Sequence, residues 1–183
     1  MLRKDAARAL ADDQTHTGVQ GLLRDLGRDL GYEVWIASND RRRPYLSGQL
    51  ADGCADLLPP SIENAPGADA IRLIDVLWLD KERTKVMAAF EVEHTTSIYS
   101  GIVRMLDLAL GSDLQATDGL FLVAPDSREH EVRAQLARPA FSRVADMKVR
   151  FLPYGELEKN RIALARFGSG IKGIHAISKL LVG

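Results

Sequence analysis

Apolar residues in "HTGVQGLLRDLGRDLGY" recur at helical spacing. Val19, Leu22, Leu23, Leu26 and Leu30 share one face, and Gly31 suits a C-terminal stop. Upstream, the Ala-rich "RKDAARALAD" predicts a separate short helix, parted from the firmer one by the polar "DDQT". His16 then stands before a helix, as an N-terminal residue without chemistry. The β-formers of "EVWIAS", 33–38, predict a strand. From 39 to about 67, Gly, Pro, Asn and Asp predict a long loop, of the kind that often carries function.

Beyond it, "AIRLIDVLWLD" (70–80) and "KVMAAFEVEH" (85–94) read as two strands around a charged "KERT" tip. "SIYSGIVRMLDLALGS" is amphipathic, with Ile98, Ile102, Met105 and Leu106 inward and Ser97 placed to cap it. "GLFLVAP" is wholly apolar, as a central strand covered on both faces must be. A helix from 126 to about Pro139, a strand at 147–154, a helix from 155 and a final amphipathic helix in "IKGIHAISKLLV" complete the pattern. The order predicts an α/β fold: a mixed central sheet, made of a three-stranded meander plus a parallel crossover strand, flanked by helices. One domain spans 1–183, with its core at about 16–153 and a C-terminal helical extension at about 154–183.

Two glutamates interrupt an otherwise apolar strand. Residues two apart on a strand share a face, so Glu91 and Glu93 point together, with Thr95 beyond, while Phe90, Val92 and His94 point away. Asp75 is the lone acid in "IRLIDVLWL", between Leu73 and Leu77, and hairpin pairing around 81–84 brings it near Glu91. Three converging acids repel one another. A hard divalent cation resolves the conflict, Mg²⁺ first and Mn²⁺ as the alternative, and its chemistry is phosphodiester hydrolysis. The competing reading pairs these acids with Arg72 or Arg104.

Composition narrows the setting. The 183 residues are 46% hydrophobic and 27% charged, as in one globular domain, and the net charge of −1 gives no global pull toward nucleic acid. Binding must then come from a local patch, for which Arg41, Arg42 and Arg43 with Arg104 are the candidates. The single Cys54 excludes an internal disulfide and points to a reducing, cytoplasmic setting. No apolar run reaches the roughly 18 residues of a membrane span, and the basic, Asp-containing start does not read as a signal peptide. No Cys/His cluster suggests zinc, and no Gly-rich phosphate loop or nucleophile elbow is present.

With its helix–three-strand–helix–strand order over about 16–153, Asp75 on the second strand and Glu91-Val92-Glu93 on the third, the chain resembles the PD-(D/E)XK nuclease superfamily. The resemblance implies a restriction-endonuclease-like fold and a Mg²⁺-dependent endonuclease acting on DNA, with a role in restriction or antiviral defence. Asp75 and Glu91 would be metal ligands and Val92 would offer its backbone carbonyl. Glu93 takes the place of the usual catalytic lysine, and Ile74 that of the motif proline. Glu93 then either acts on the attacking water or marks a site that binds without cutting. Gln20 on the first firm helix and Thr95 near a helix start are supporting positions, and His94 is a core or neighbouring histidine. Double-strand cleavage implies a homodimer, and the last helix offers a surface for a partner protein. The rivals are a nucleic-acid-binding module that has lost catalysis and a protein-interaction domain.

Overall fold

In a computed structural model, the structure describes residues 2–94, 98–111, 119–141 and 147–181, with side chains from residue 11 onward. It opens on one continuous helix, α1 (Leu2–Asp29), where two were expected. "DDQT" contains neither Gly nor Pro, and the Thr15 hydroxyl donates to the Ala11 carbonyl (2.9 Å), so the polar run stays helical. Gly31, at φ 84°, ends it. Tyr32 N–H donates to the Gly27 carbonyl and Gly31 N–H to the Arg28 carbonyl, which satisfies the last turn.

β1 (Glu33–Ile36) follows. The expected long loop holds a two-residue ladder, β2 (Pro44–Tyr45) with β3 (Gly48–Gln49), and the short helix α2 (Pro60–Glu63). The second long strand is shorter than its composition predicts. Residues Ala68–Ile71 form a helical turn, α3, and only Val76–Leu79 form β4. Ile71 and Ile74, three apart, are both buried while Leu73 is 41% exposed, so the apolar run starts at helical rather than strand period.

β5 (Val86–Val92), α4 (Ile98–Gly111), β6 (Leu120–Ala124), α5 (Glu129–Leu136), β7 (Arg150–Pro153) and α6 (Tyr154–Phe167) complete the body. The predicted final helix is divided. Residues Ile171–Ile177 form α7, then Ser178 turns extended and Lys179–Leu180 form β8 beside β7. Arg150 holds this change of direction, donating to the Ser178 hydroxyl (2.7 Å) and carbonyl (3.0 Å).

The main sheet runs β1-β4-β5-β6-β7-β8. β1, β4 and β5 are the antiparallel meander, β5, β6 and β7 are parallel, and β8 returns antiparallel. This is the mixed α/β architecture predicted. On one face, Leu23 and Leu26 of α1, Leu157 and Leu164 of α6 and Ile174 of α7 cover Val76, Trp78, Phe90 and Phe121. Aromatic rings pack in series from Tyr32 through Trp78 and Phe90 to Phe121, with centroids 5.2, 4.7 and 5.0 Å apart, the outer pairs stacked and Trp78–Phe90 tilted. On the other face, Ile102, Met105 and Leu108 of α4 and Val132 of α5 cover Leu77, Ala89 and Leu122. Among the described residues no helix is long and apolar enough to cross a membrane.

Candidate metal centre and anion-binding cleft

β4 and β5 pair with Val76 opposite Phe90, so one further step sets Asp75 opposite Glu91. The two carboxylates then part company. Asp75 lies across the end of the sheet, where one oxygen accepts the Val92 N–H (2.7 Å). Its other oxygen accepts from Gln20 (3.1 Å) and lies 3.3 Å from His16 Nε2. His16 and Gln20 are four apart on α1 and share a face, and the helix continuing through "DDQT" puts His16 in its interior rather than at its start. Gln20 also donates to Asp40 (2.8 Å), whose second oxygen accepts from Arg43 Nε (2.6 Å).

Asp40 and Asp75 are buried, and the ligand atoms of His16, Asp40 and Asp75 lie within 4.8 Å of one another. Two carboxylates and an imidazole form a donor set that fits a divalent cation. Burial alone would lower the His16 pKa, but the hydrogen bond and charge of Asp75, followed by the charge of Asp40, raise it above its ordinary value.

Glu91 and Glu93 face α4, as strand alternation predicts. Glu91 is fully buried and both its oxygens accept from Arg104, at 2.8 and 2.6 Å. Burial, opposed by Arg104 and reinforced by the charges of Asp75 and Glu93, pushes its carboxyl well above the usual carboxylate range. The same contact pulls the other way on the partner, holding the Arg104 guanidinium charged. Geometry decides between them. A carboxylic acid cannot accept two such bonds while keeping its own proton, so the pair is ionised, and Glu91 takes up a proton only once Arg104 leaves. This ion pair is the contact expected by the reading that competes with a metal site. Glu93, 2% exposed, sits beside Gly101, and its backbone carbonyl accepts from Arg128 (2.9 Å).

The basic run separates. Arg43 turns toward Asp40 and Asp13, whereas Arg41 bonds Asp56 (2.8 Å) and lies over the Trp35 ring, and Arg42 is exposed. Arg72 pairs with Glu63 and Asp69, away from the strand acids. His94 Nε2 meets Asp12 (3.1 Å), and its ring stacks on Tyr154. Thr95 and Ser97 lie outside the described residues. A cleft of about 410 Å³ opens between these groups, lined among others by His16, Asp40, Arg43, Asp75, His94 and Arg104.

Residues 3–173 match the family model described as the type II restriction enzyme NmeDI C-terminal domain. The chain belongs to that family. Type II restriction enzyme NmeDI of Neisseria meningitidis serogroup C is 31% identical over 150 residues, covering 79% of this chain and 41% of that protein. The chain thus spans less than half the length of that relative. No solved structure matches.

Within this restriction-enzyme domain family, the chain's hairpin offset and alternation place Asp75, Glu91 and Glu93 at one sheet end. His16, Asp40 and Arg128 had weaker sequence signals. The one available for His16 was its four-residue spacing from Gln20 and from Asp12, visible only if "DDQT" is read as helix.

Proposed function

We propose that this chain is a metal-dependent endonuclease domain that hydrolyses phosphodiester bonds of DNA, in restriction or defence. The observation that carries the reading is the cleft at the β4–β5 sheet end. There a buried aspartate cluster able to hold a divalent cation lies between two arginines, in a chain whose relative is a type II restriction enzyme. Mg²⁺ or Mn²⁺ would be anchored on Asp75, with Glu91 and the Val92 carbonyl joining only if Arg104 releases Glu91. When bound, such a cation lowers the pKa of coordinated water and offsets charge developing on the phosphoryl group.

Arg43 and Arg104 line the cleft and would hold the phosphate by charge-assisted hydrogen bonds. Arg42, exposed beside them, would contact the backbone outside it. Glu93 orients water or takes its proton as the oxygen bonds phosphorus and the ester oxygen leaves. Two chains would pair to cut both strands.

The test is cleavage of plasmid, methylated, single-stranded and RNA substrates in Mg²⁺, Mn²⁺ or EDTA, by the wild type and by Asp75→Asn and Glu93→Ala. DNA cutting that needs metal and is lost in both variants supports the reading. DNA binding without cutting in any metal would favour a catalytically silent binding module. The specific observation behind that second reading is the closed Glu91–Arg104 pair.

A further inference from the structure

The cation reading rests on Asp75, whose two oxygens face different neighbours. Toward β5 it meets an N–H, that of Val92, and the adjacent Glu91 has both oxygens engaged by Arg104. Toward α1 it meets an imidazole nitrogen at 3.3 Å, and that nitrogen is 4.0 Å from a carboxylate oxygen of Asp40. Ligands about 2.1 Å from an octahedral ion stand about 3 Å apart at neighbouring vertices. The α1 side therefore has ligand spacings close to those a cation needs, while on the β5 side the second carboxylate is already neutralised.

Gln20 supplies an independent observation. It is fully buried, and its amide nitrogen bonds the same Asp40 and Asp75 oxygens. Its amide oxygen is buried and without a hydrogen-bond partner among the described residues. A buried polar atom of this kind costs free energy unless something satisfies it. Turning the amide by half a rotation exchanges nitrogen for oxygen in place, and converts a donor between two carboxylates into an oxygen ligand beside them.

We propose that His16, Asp40 and Asp75 form the divalent-cation site of this chain, with the Gln20 amide oxygen as an auxiliary ligand and Glu91 outside the set. The inference rests on the cation-dependent reading above and names its ligands. Carboxylate oxygens suit Mg²⁺ and Mn²⁺ alike, whereas an imidazole nitrogen is a softer ligand suited to later first-row metals. The site therefore prefers Mn²⁺ to Mg²⁺.

The probe is Mn²⁺ alone, titrated without DNA into the full chain and into His16→Gln, Asp40→Asn and Glu91→Gln. Affinity is read by calorimetry and by the electron paramagnetic resonance of free Mn²⁺. The first two variants should each weaken binding by about 10-fold or more, and Glu91→Gln by less than about threefold. Wild-type Mn²⁺ should also show spin-echo modulation from a coordinated imidazole nitrogen, a readout that needs no variant to fold. Loss of binding in Glu91→Gln with retention in the other two would overturn the assignment, as would bound Mn²⁺ without the nitrogen signature, or no Mn²⁺ binding at millimolar concentration. A chain that shows the signature but cuts no DNA sinks the nuclease reading and leaves the site standing. Cutting without the signature does the reverse.

Discussion

Arg104 grips both carboxylate oxygens of Glu91 from the middle of α4, at 2.8 and 2.6 Å, over a carboxylate with no solvent exposure. The guanidinium itself is partly exposed and lines the cleft, so one side chain both neutralises a buried acid and offers charge to a ligand. Removing one partner of a buried pair is far costlier than removing both, because the survivor is left charged in a low dielectric. Arg104→Met should lose about 3 kcal/mol in urea unfolding, at the lower end for such pairs since Arg104 keeps some solvent. Glu91→Leu added to Arg104→Met should recover most of it. Equal losses in the single and double variants would show that the pair contributes through packing alone.

The neighbouring glycine sets how closely α4 approaches these acids. A Cβ on Gly101 would stand 2.6 Å from the Glu93 carboxylate and 3.2 Å from the Glu91 Cβ. Alanine would gain about 1 kcal/mol of helix propensity over glycine. Overpacking a buried site costs about 1–3 kcal/mol, and Glu93 has no room to retreat into solvent. The clash should win. Gly101→Ala is expected to lower the urea midpoint, and a rise would mean that Glu93 moves freely.

The β4–β5 turn carries an acid-sensitive contribution. Asp80 accepts from the Thr84 hydroxyl (2.6 Å) and from the Thr84 (2.7 Å) and Lys85 (2.8 Å) N–H groups. Slight burial pushes its carboxyl up, but those donors and the Lys85 charge outweigh it and hold the pKa below the usual 3.8. A depressed folded-state value means that the stabilisation is present above the unfolded value and is lost as pH falls through the folded one. Asp80→Ala should cost about 1 kcal/mol at neutral pH, the value of a well-solvated hydrogen-bond cluster. Thermal melts of wild type and variant should converge as pH drops below 3.8. A difference that persists unchanged in acid would assign the effect to the turn backbone instead.

Alternation along "AFEVEH" and the hairpin offset were enough to bring Asp75 near Glu91, while the exact pairing comes from a bulge between Trp78 and Leu79, and Gly31 marked the end of α1 correctly. The rest depended on long-range contacts that periodicity does not carry. "DDQT" looks like a break because its residues are polar. It stays helical, and His16 gains a site-facing position it does not have as a helix leader. Asp40 is one acid among loop residues until Gln20 and Arg43 close around it. Glu91 could be read as a ligand or as half of an ion pair, and only the reach of Arg104 back from α4 decides which contact it makes. The "ISKLLV" end follows a helical pattern, yet hydrogen bonds from Arg150, 25 to 28 residues away, and the open edge of β7 turn it into a strand.

Tyr154 gives a prediction whose sign is unusual. Its hydroxyl is buried beside the cleft with no hydrogen-bond partner among the described residues, and its ring packs on His94. Burial first, then the charges of Asp75 and Glu93, hold the phenol well above its ordinary pKa, so it stays neutral. An unsatisfied buried hydroxyl carries its desolvation cost with nothing in return, whereas a phenyl ring keeps the stacking and sheds that cost. Tyr154→Phe should therefore raise stability by about 1 kcal/mol rather than lower it. Calorimetric melts of the two chains decide the matter. A destabilised variant would mean that the hydroxyl has a bound-water partner, and the space around it would then be part of the wet cleft rather than of the core.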